Sequence, residues 1–440
     1  MPPEQLTSCA LELTGRLQSR EAHVGVVGMG YVGLPLMLEK AKAGFTVVGI
    51  DRVDARVDEV NRGVSYISDV SGTELREFVK TGRIRAVSSF DVVSELDVVV
   101  ICVPTPLDAN LAPDLQYVEH VAHEIASRLR RGQLVSLEST TYPGTTDDIL
   151  RPILEASGLQ CGRDFFLAYS PERIDPGNHH WSTANTNRVV GGSDAESGAV
   201  AECFYAQTID TVVTVSNART AELVKVFENT FRAVNIALVN EFALLCDTMD
   251  LDVWEVLDAA FTKPFGIMPF YPGPGVGGHC IPVDPHYLAW KARAYGFETR
   301  FIGLAGEINR RMPEFVVEKA ARILNEDGLA VKGARILLVG LAYKADIADD
   351  RESPALGVLE RLVGRGANVV YHDRYLPSAE VGGRRFESVN LEDALAETDL
   401  CIILTAHRYL DLEAIVAVAP RVFDTRNATR RLAAANVTFL

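Results

Sequence analysis

The chain has 440 residues, 48% of them hydrophobic and 23% charged, with a formal net charge of −16. That length exceeds what one hydrophobic core serves, so two or three domains are expected. The acidity excludes nucleic acid as the main partner, because its phosphates would be repelled, but local basic groups and helix N-termini can still hold a nucleotide-sized anion. Its 7 cysteines are irregularly spaced, with no C-x-x-C pair and no zinc pattern. They read as free thiols in a reducing compartment, and no metal is expected. No apolar run reaches the roughly 18 residues of a membrane span, and the first residues lack the order of a secretion signal. A cytoplasmic protein without a membrane partner is expected.

Residues 1–22 read as a short polar extension able to form a helix. A strand at His23–Gly28 then runs into Gly28-Met29-Gly30-Tyr31-Val32-Gly33, followed by a helix at Leu34–Ala43 and a strand at Phe45–Asp51. That is a βαβ unit of about 30 residues, the size of a mononucleotide-binding half. Further strands are expected at Asp97–Val103, Leu134–Leu137, Phe166–Tyr169 and Arg188–Val190. Their Val, Ile and Leu density suits a parallel sheet covered on both faces. The first domain is placed at 23–216.

From Ala218 to about Asp250 the pattern is helical, without Pro or Gly, and at about 1.5 Å per residue the helix would be roughly 50 Å long. A helix of that length bridges domains or subunits. A helix near Val253–Ala260 leads into a Pro/Gly-rich loop, and more helix is expected from Pro285 to Asn325, giving a central helical region at 217–325. The opening pattern returns in 326–440, with strands at Arg335–Gly340, Asn368–Tyr371 and Leu400–Thr405 and a helix at Pro354–Gly364. The fold class is therefore α/β: two Rossmann-like doubly wound domains joined by a central helical domain with a long connecting helix.

Three glycines in Gly-x-Gly-x-x-Gly permit a tight turn and close approach of a pyrophosphate, and Asp51 at the end of the next strand can accept from ribose hydroxyls. A carboxylate there repels a 2′-phosphate, so NAD is favoured over NADP, with Arg52 alongside. A plain packing turn is the structural alternative. Cys280 lies in Pro272-Gly273-Pro274-Gly275-Val276-Gly277-Gly278-His279-Cys280-Ile281-Pro282-Val283-Asp284-Pro285. An arbitrary cysteine is a buried structural thiol. This one follows a Gly-Gly pair in a stiff loop, and thiolates attack aldehydes and leave thioesters readily. His279 is a candidate base, though an adjacent side chain commonly points elsewhere. Lys225 and Asn229 share a helix face and are either solvated or poised at an oxyanion. Glu172 and the hydroxyl cluster at Ser139–Thr145 each follow a strand end, where ligands gather in open α/β sheets.

Together the segments GMGYVGLP, ICVPTP, ESTTYPGTT, YSPERIDPGN, ELVKVFENTFRAVNIALVNE, PGPGVGGHCIPVDP and GLAYKADIADDRESP resemble the UDP-glucose/GDP-mannose dehydrogenase family. The resemblance implies four-electron oxidation of the C6 hydroxymethyl of a nucleotide sugar to a carboxylate, with NAD and without release of aldehyde. It implies Cys280 as the nucleophile holding a thiohemiacetal and then a thioester, Lys225 as the oxyanion stabiliser, and Asn229 near C6. Asp284 and Thr140 would handle the hydrolytic water, and Glu172 would serve acid/base or water-handling work. It places Gly28, Gly30, Tyr31, Val32, Gly33, Asp51, Arg52, Val103, Pro104, Thr105, Thr140 and Arg351 at the cofactor, Arg351 reaching it from the C-terminal domain. Glu172, Arg173, Lys225, Asn229, Phe270, Tyr271, Gly277 and Lys344 fall at the UDP-sugar, and the long helix would form the core of a homodimer or higher homo-oligomer.

One position departs from the family's UDP-glucose enzymes. The second acid expected four residues after Glu172 is Pro176 here, with Asp175 out of register, which points away from UDP-glucose. The runs SPERIDPGN, Lys263-Pro264-Phe265-Gly266, Met268-Pro269-Phe270-Tyr271 and GHCIPVDPHYL resemble the members acting on UDP-N-acetylglucosamine. The C2 epimer, UDP-N-acetylmannosamine, is the main alternative. A two-electron dehydrogenase on a similar scaffold and a silent nucleotide-sugar sensor are the rival readings.

Overall fold

The computed structural model describes residues 6–67, 70–108, 111–173, 180–278 and 280–440. The chain forms two compact units, Met1–Glu228 with His286–Phe297, and Asn229–Pro285 with Glu298–Leu440. The boundary at Glu228/Asn229 falls inside the helix Ala218–Met249.

The first unit is built on an 8-stranded sheet: β1 His23–Val27, β2 Thr46–Ile50, β3 Ile84–Val87, β4 Val98–Ile101, β5 Leu134–Leu137, β6 Phe166–Tyr169, β7 Arg188–Gly192 and β8 Val212–Thr214, in the order β3-β2-β1-β4-β5-β6-β7-β8. Its inner strands are mostly apolar, with buried side chains packing on both faces of the sheet. The sheet is not wholly parallel: β7 runs antiparallel to β6, pairing Ala168 with Gly192 and Tyr169 with Gly191. β3 and the edge strand β8 were not foreseen; both are short, and Arg85, Val213 and Thr214 are exposed.

From Leu6 onward the N-terminal extension packs into this core. Thr7 caps the helix Ser8–Ser19 by accepting from the Ala10 N–H at 3.3 Å, and Arg20 ends it at φ 66°. Ala10, Leu13 and Leu17 lie on one helical face and are at most 3% exposed. Arg16 pairs with Asp97 at 2.8 Å. Each buried leucine contributes about 1.5–3 kcal/mol.

The second unit holds a 5-stranded parallel sheet: β9 Arg335–Val339, β10 Asn368–His372, then, after the hairpin β11 Ser378–Val381 and β12 Arg384–Glu387, β13 Leu400–Ile403, β14 Val422–Asp424 and β15 Val437–Phe439. Val239, Ala243 and Cys246 of the long helix and Met312, Val316 and Ala320 of the helix Arg300–Glu326 pack on this sheet. The helix expected over Pro285–Asn325 is two helices, Asp284–Arg293 and Arg300–Glu326. Between them the chain turns at Gly296, φ 68°. Among the described residues no helix is long and apolar enough to cross a membrane, and no group of three or more His, Cys, Asp or Glu is arranged to hold a metal.

Candidate functional site

The carboxyl ends of β1 and β2 bring the glycine turn beside Asp51. Gly28 sits at φ 93°, and a Cβ there would stand 2.5 Å from the Cys102 carbonyl oxygen. At Gly33, the first residue of the helix Gly33–Lys42, a Cβ would stand 1.9 Å from the Gly28 carbonyl oxygen. Gly30 differs, since a Cβ there would meet nothing within 4 Å and the backbone faces open space. No side chain caps this helix. Asp51 Oδ2 accepts the Met29 N–H at 2.9 Å and Oδ1 the Val53 N–H at 3.0 Å, fixing the carboxylate beside the turn. A tight turn, open backbone at Gly30, an uncapped helix start and a fixed carboxylate fit the pyrophosphate and a ribose diol of NAD. Tyr31 is exposed, Val32 half-buried, and exposed Arg52 lies 5.1 Å over the Tyr117 ring.

Loops after β4 and β5 are tied to each other. Ser139 Oγ donates to the Val103 carbonyl and Thr105 Oγ1 to the Thr140 carbonyl, each at 2.7 Å. The Tyr287 hydroxyl donates to the Thr105 carbonyl, while Pro104 is exposed. Glu222, near the start of the long helix, accepts from the Gly144 N–H, the Thr146 N–H and the Thr146 hydroxyl, binding the same loop from its far end.

Lys225, 9% exposed, donates from Nζ to the Glu172 carbonyl at 2.6 Å. Glu172 Oε1 accepts the Arg173 N–H at 2.7 Å, and Oε2 accepts from Arg188 Nη1 at 2.6 Å. The Arg173 guanidinium pairs with Glu228 and donates to the Asn187 carbonyl. Thr140, Glu172, Arg173 and Lys225 all belong to the first unit.

In the second unit the Cys280 carbonyl accepts the Val283 and Asp284 N–H groups at 3.2 and 2.8 Å, one turn ahead of the helix Asp284–Arg293. Asp284 is 1% exposed, and its Oδ2 accepts from Asn229 Nδ2. The glycine loop is held against the segment between β9 and the helix Pro354–Gly364. The Gly278 N–H donates to the Arg351 carbonyl at 3.0 Å. A Cβ at Gly277 would stand 2.6 Å from Tyr343 Cβ. The Arg351 guanidinium is paired with Asp349 at 2.7 Å, and Lys344 is half-buried. Phe270 packs edge-on to Phe231, whereas Tyr271 stacks on Trp254 and donates to Asp258 at 3.0 Å. His279, Asp175 and Pro176 lie outside the described residues.

Two residues here went unread in the sequence. Asn240, fully buried, accepts the Gly273 N–H at 3.0 Å and donates to Asn309 at 2.9 Å. It sits eleven residues after Asn229, about three helical turns, so a second polar residue on that face was its signal. Arg426 donates from Nε to the Leu404 carbonyl at 2.7 Å, its guanidinium lies against Gly273, and burial lowers its pKa to about 10. Burial pushes Cys161 and Cys401 up to about 12, Cys102 well up, and Cys203 and Cys246 upward, so none of these favours the thiolate.

Three family descriptions of the UDP-glucose/GDP-mannose dehydrogenase family match in order: the NAD binding domain over residues 22–209, the central domain over 219–311 and the UDP binding domain over 337–431. A UDP-N-acetyl-D-glucosamine 6-dehydrogenase of Pseudomonas aeruginosa is 34% identical over 411 residues, covering 93% of each chain. A UDP-N-acetyl-D-mannosamine dehydrogenase of Pyrococcus horikoshii is 35% identical over 385 residues, 87% of this chain and 89% of its own. The solved structure of a UDP-D-ManNAc dehydrogenase from Pyrococcus horikoshii superposes with a TM-score of 0.87 at 34% identity, covering 95% of this chain and 98% of its own.

Proposed function

Because the chain belongs to the UDP-glucose/GDP-mannose dehydrogenase family and is an NAD-dependent nucleotide-sugar dehydrogenase, we propose that it oxidises the C6 hydroxymethyl of a UDP-N-acetylhexosamine to the carboxylate, with UDP-N-acetylglucosamine preferred. The runs Lys263–Gly266 and Met268–Tyr271 and the Pseudomonas aeruginosa relative support that sugar. UDP-N-acetylmannosamine is the second reading, favoured by the Pyrococcus horikoshii structure.

NAD held at the Gly28–Gly33 turn and Asp51 supplies the hydride acceptor for each of two two-electron oxidations. The Lys225 ammonium neutralises charge developing on the C6 oxygen, a contact worth most in a water-poor site. Cys280 Sγ adds to the aldehyde carbon: the C–S bond forms, the C=O π bond breaks and the thiol proton passes to that oxygen, giving a thiohemiacetal that keeps the aldehyde from leaving. Loss of the second hydride gives the thioester. Asp284, its carboxylate oriented by Asn229, takes a proton from water as the water attacks the thioester carbon. The C–S bond then breaks and the Cys280 thiolate leaves. Thr140 and Glu172 serve to order that water, and Lys344 and Arg426 are cations for the UDP moiety. The observation that carries this reading is the Asn229–Asp284 hydrogen bond one turn after Cys280. A homodimer is proposed through the long helix, on which Phe231, Leu238, Phe242, Leu245 and Met249 stand exposed.

The test is NADH formed per mole of sugar consumed, with UDP-N-acetylglucosamine, UDP-N-acetylmannosamine and UDP-glucose side by side. About two NADH per sugar, fastest with the first, is the expected result, and Cys280→Ala should abolish turnover. About one NADH with free aldehyde would refute the thioester route.

A further inference from the structure

We propose that Arg188 is a positioning residue: with Glu138 it clamps the Ser170–Arg173 segment so that the Glu172 carbonyl holds the Lys225 ammonium in one orientation. The proposal rests on the role given above to Lys225.

The antiparallel direction of β7 makes the clamp possible. Tyr169 pairs with Gly191, and the same register carried three residues further sets Glu172 opposite Arg188. The first residue of β7 therefore lies at the carboxyl edge of β5 and β6. A parallel β7 would have put it at the amino edge.

Each arm of the guanidinium is committed. Nε donates to Ser170 Oγ at 2.8 Å, Nη1 to Glu172 Oε2 at 2.6 Å, and Nη2 pairs with the Glu138 carboxylate. Glu138 is held from behind, because the Tyr205 hydroxyl donates to its Oε1 at 2.7 Å. Arg188 and Glu138 are each 2% exposed and Ser170 and Tyr205 are fully buried. The guanidinium lies 5.1 Å over the Tyr205 ring.

Stability alone does not call for such a triad, since well-packed apolar groups of similar volume serve as well or better. What apolar groups cannot do is grip both a hydroxyl and a carboxylate of one short segment. Two of the three arms grip Ser170 and Glu172, the residues on either side of Pro171. The carbonyl of the gripped Glu172 is the acceptor for Lys225 Nζ. Slack in the segment therefore passes directly to the ammonium.

Removing Arg188 alone leaves two carboxylates facing each other in the core, so Arg188→Met is expected to fold poorly. The informative protein is the double variant Arg188→Met with Glu138→Gln, which removes one of those charges. Arg188→Lys keeps the charge but loses the fork, and stands in if the double variant does not fold. Three readouts are compared with the wild type: melting temperature, kcat and KM with UDP-N-acetylglucosamine and NAD, and the rate at which acetic anhydride modifies Lys225, followed by mass spectrometry.

The double variant is expected to regain the wild-type melting temperature and a KM for NAD within about two-fold. Its kcat is expected to fall by about ten- to a hundred-fold, as misplacement of about 1 Å implies. Modification of Lys225 is expected to speed up. Wild-type kcat and wild-type Lys225 modification in a folded variant would overturn the proposal. A wild-type protein that oxidises no UDP-sugar would overturn the functional reading instead. The Lys225 modification rate, which needs no turnover, would still decide the clamp.

Discussion

Replacing Glu222 by Gln should change how stability depends on pH. The side chain is fully buried, and its carboxylate accepts two backbone N–H groups and the Thr146 hydroxyl. Burial outweighs those bonds and, with Asp147 adding repulsion, pushes the carboxyl from 4.5 up to about 7. Between those values the folded protein keeps a proton that the unfolded chain has released, so stability falls as pH rises through the window. The gap of about 2.5 units, at about 1.4 kcal/mol each, is roughly 3 kcal/mol. Glutamine does not titrate, so the wild type's advantage over Glu222→Gln should be largest near pH 4.5 and shrink by roughly 3 kcal/mol by pH 7.5. Aspartates held down by basic partners, such as Asp164 at about 2, act in the opposite sense, below their unfolded value of 3.8, and are common to both proteins. Melting temperatures at half-unit steps of pH measure the effect. For a unit of this size it is roughly 6–12 °C. An advantage constant across the window would refute the raised carboxyl.

Gly33→Ala should abolish NAD binding measured by calorimetry, because its Cβ would stand 1.9 Å from a backbone oxygen that cannot withdraw. Gly278→Ala sets a side chain at φ 91° with its Cβ 2.9 Å from the Tyr343 ring. It should cost about 1–3 kcal/mol of stability and lower kcat while NAD affinity holds. Phe242→Glu with Leu245→Glu charges two exposed apolar positions of the long helix and should give a monomer in sedimentation velocity, and a dimer that persists would move the interface elsewhere.

Much of the framework was legible, element by element. Leu134–Leu137, Phe166–Tyr169 and Pro354–Gly364 have the bounds their apolar runs and flanking turn residues announce, with Ser353 capping the last. The direction of β7 was not legible, because an Arg-Val-Val run reads the same either way and direction is set by pairing. The polar look of the first residues hid Ala10, Leu13 and Leu17, although their spacing of three and four is helical. Gly382-Gly383, both at positive φ, was a hairpin signal left unread between β11 and β12. The candidate site residues were read from motifs, whereas the residues that hold them in place carry no motif. Glu222 and Arg188 meet partners from other strands and loops, and no local pattern marks a residue for a partner 78 positions away.

The segment His286–Phe297 belongs to the first unit, yet it is encoded after Asn229–Pro285 of the second. Within it Tyr287 is fully buried and donates to the Thr105 carbonyl, and Trp290 packs on Tyr142 at 4.9 Å. During synthesis on the ribosome, the wall that Tyr287 supplies to the NAD-binding half can be completed only after residues 229–285 have emerged. A recombinant fragment ending at Glu228 would lack that wall. Joining Glu228 to His286 through a short flexible linker supplies the missing wall and is the way to obtain the NAD-binding half alone.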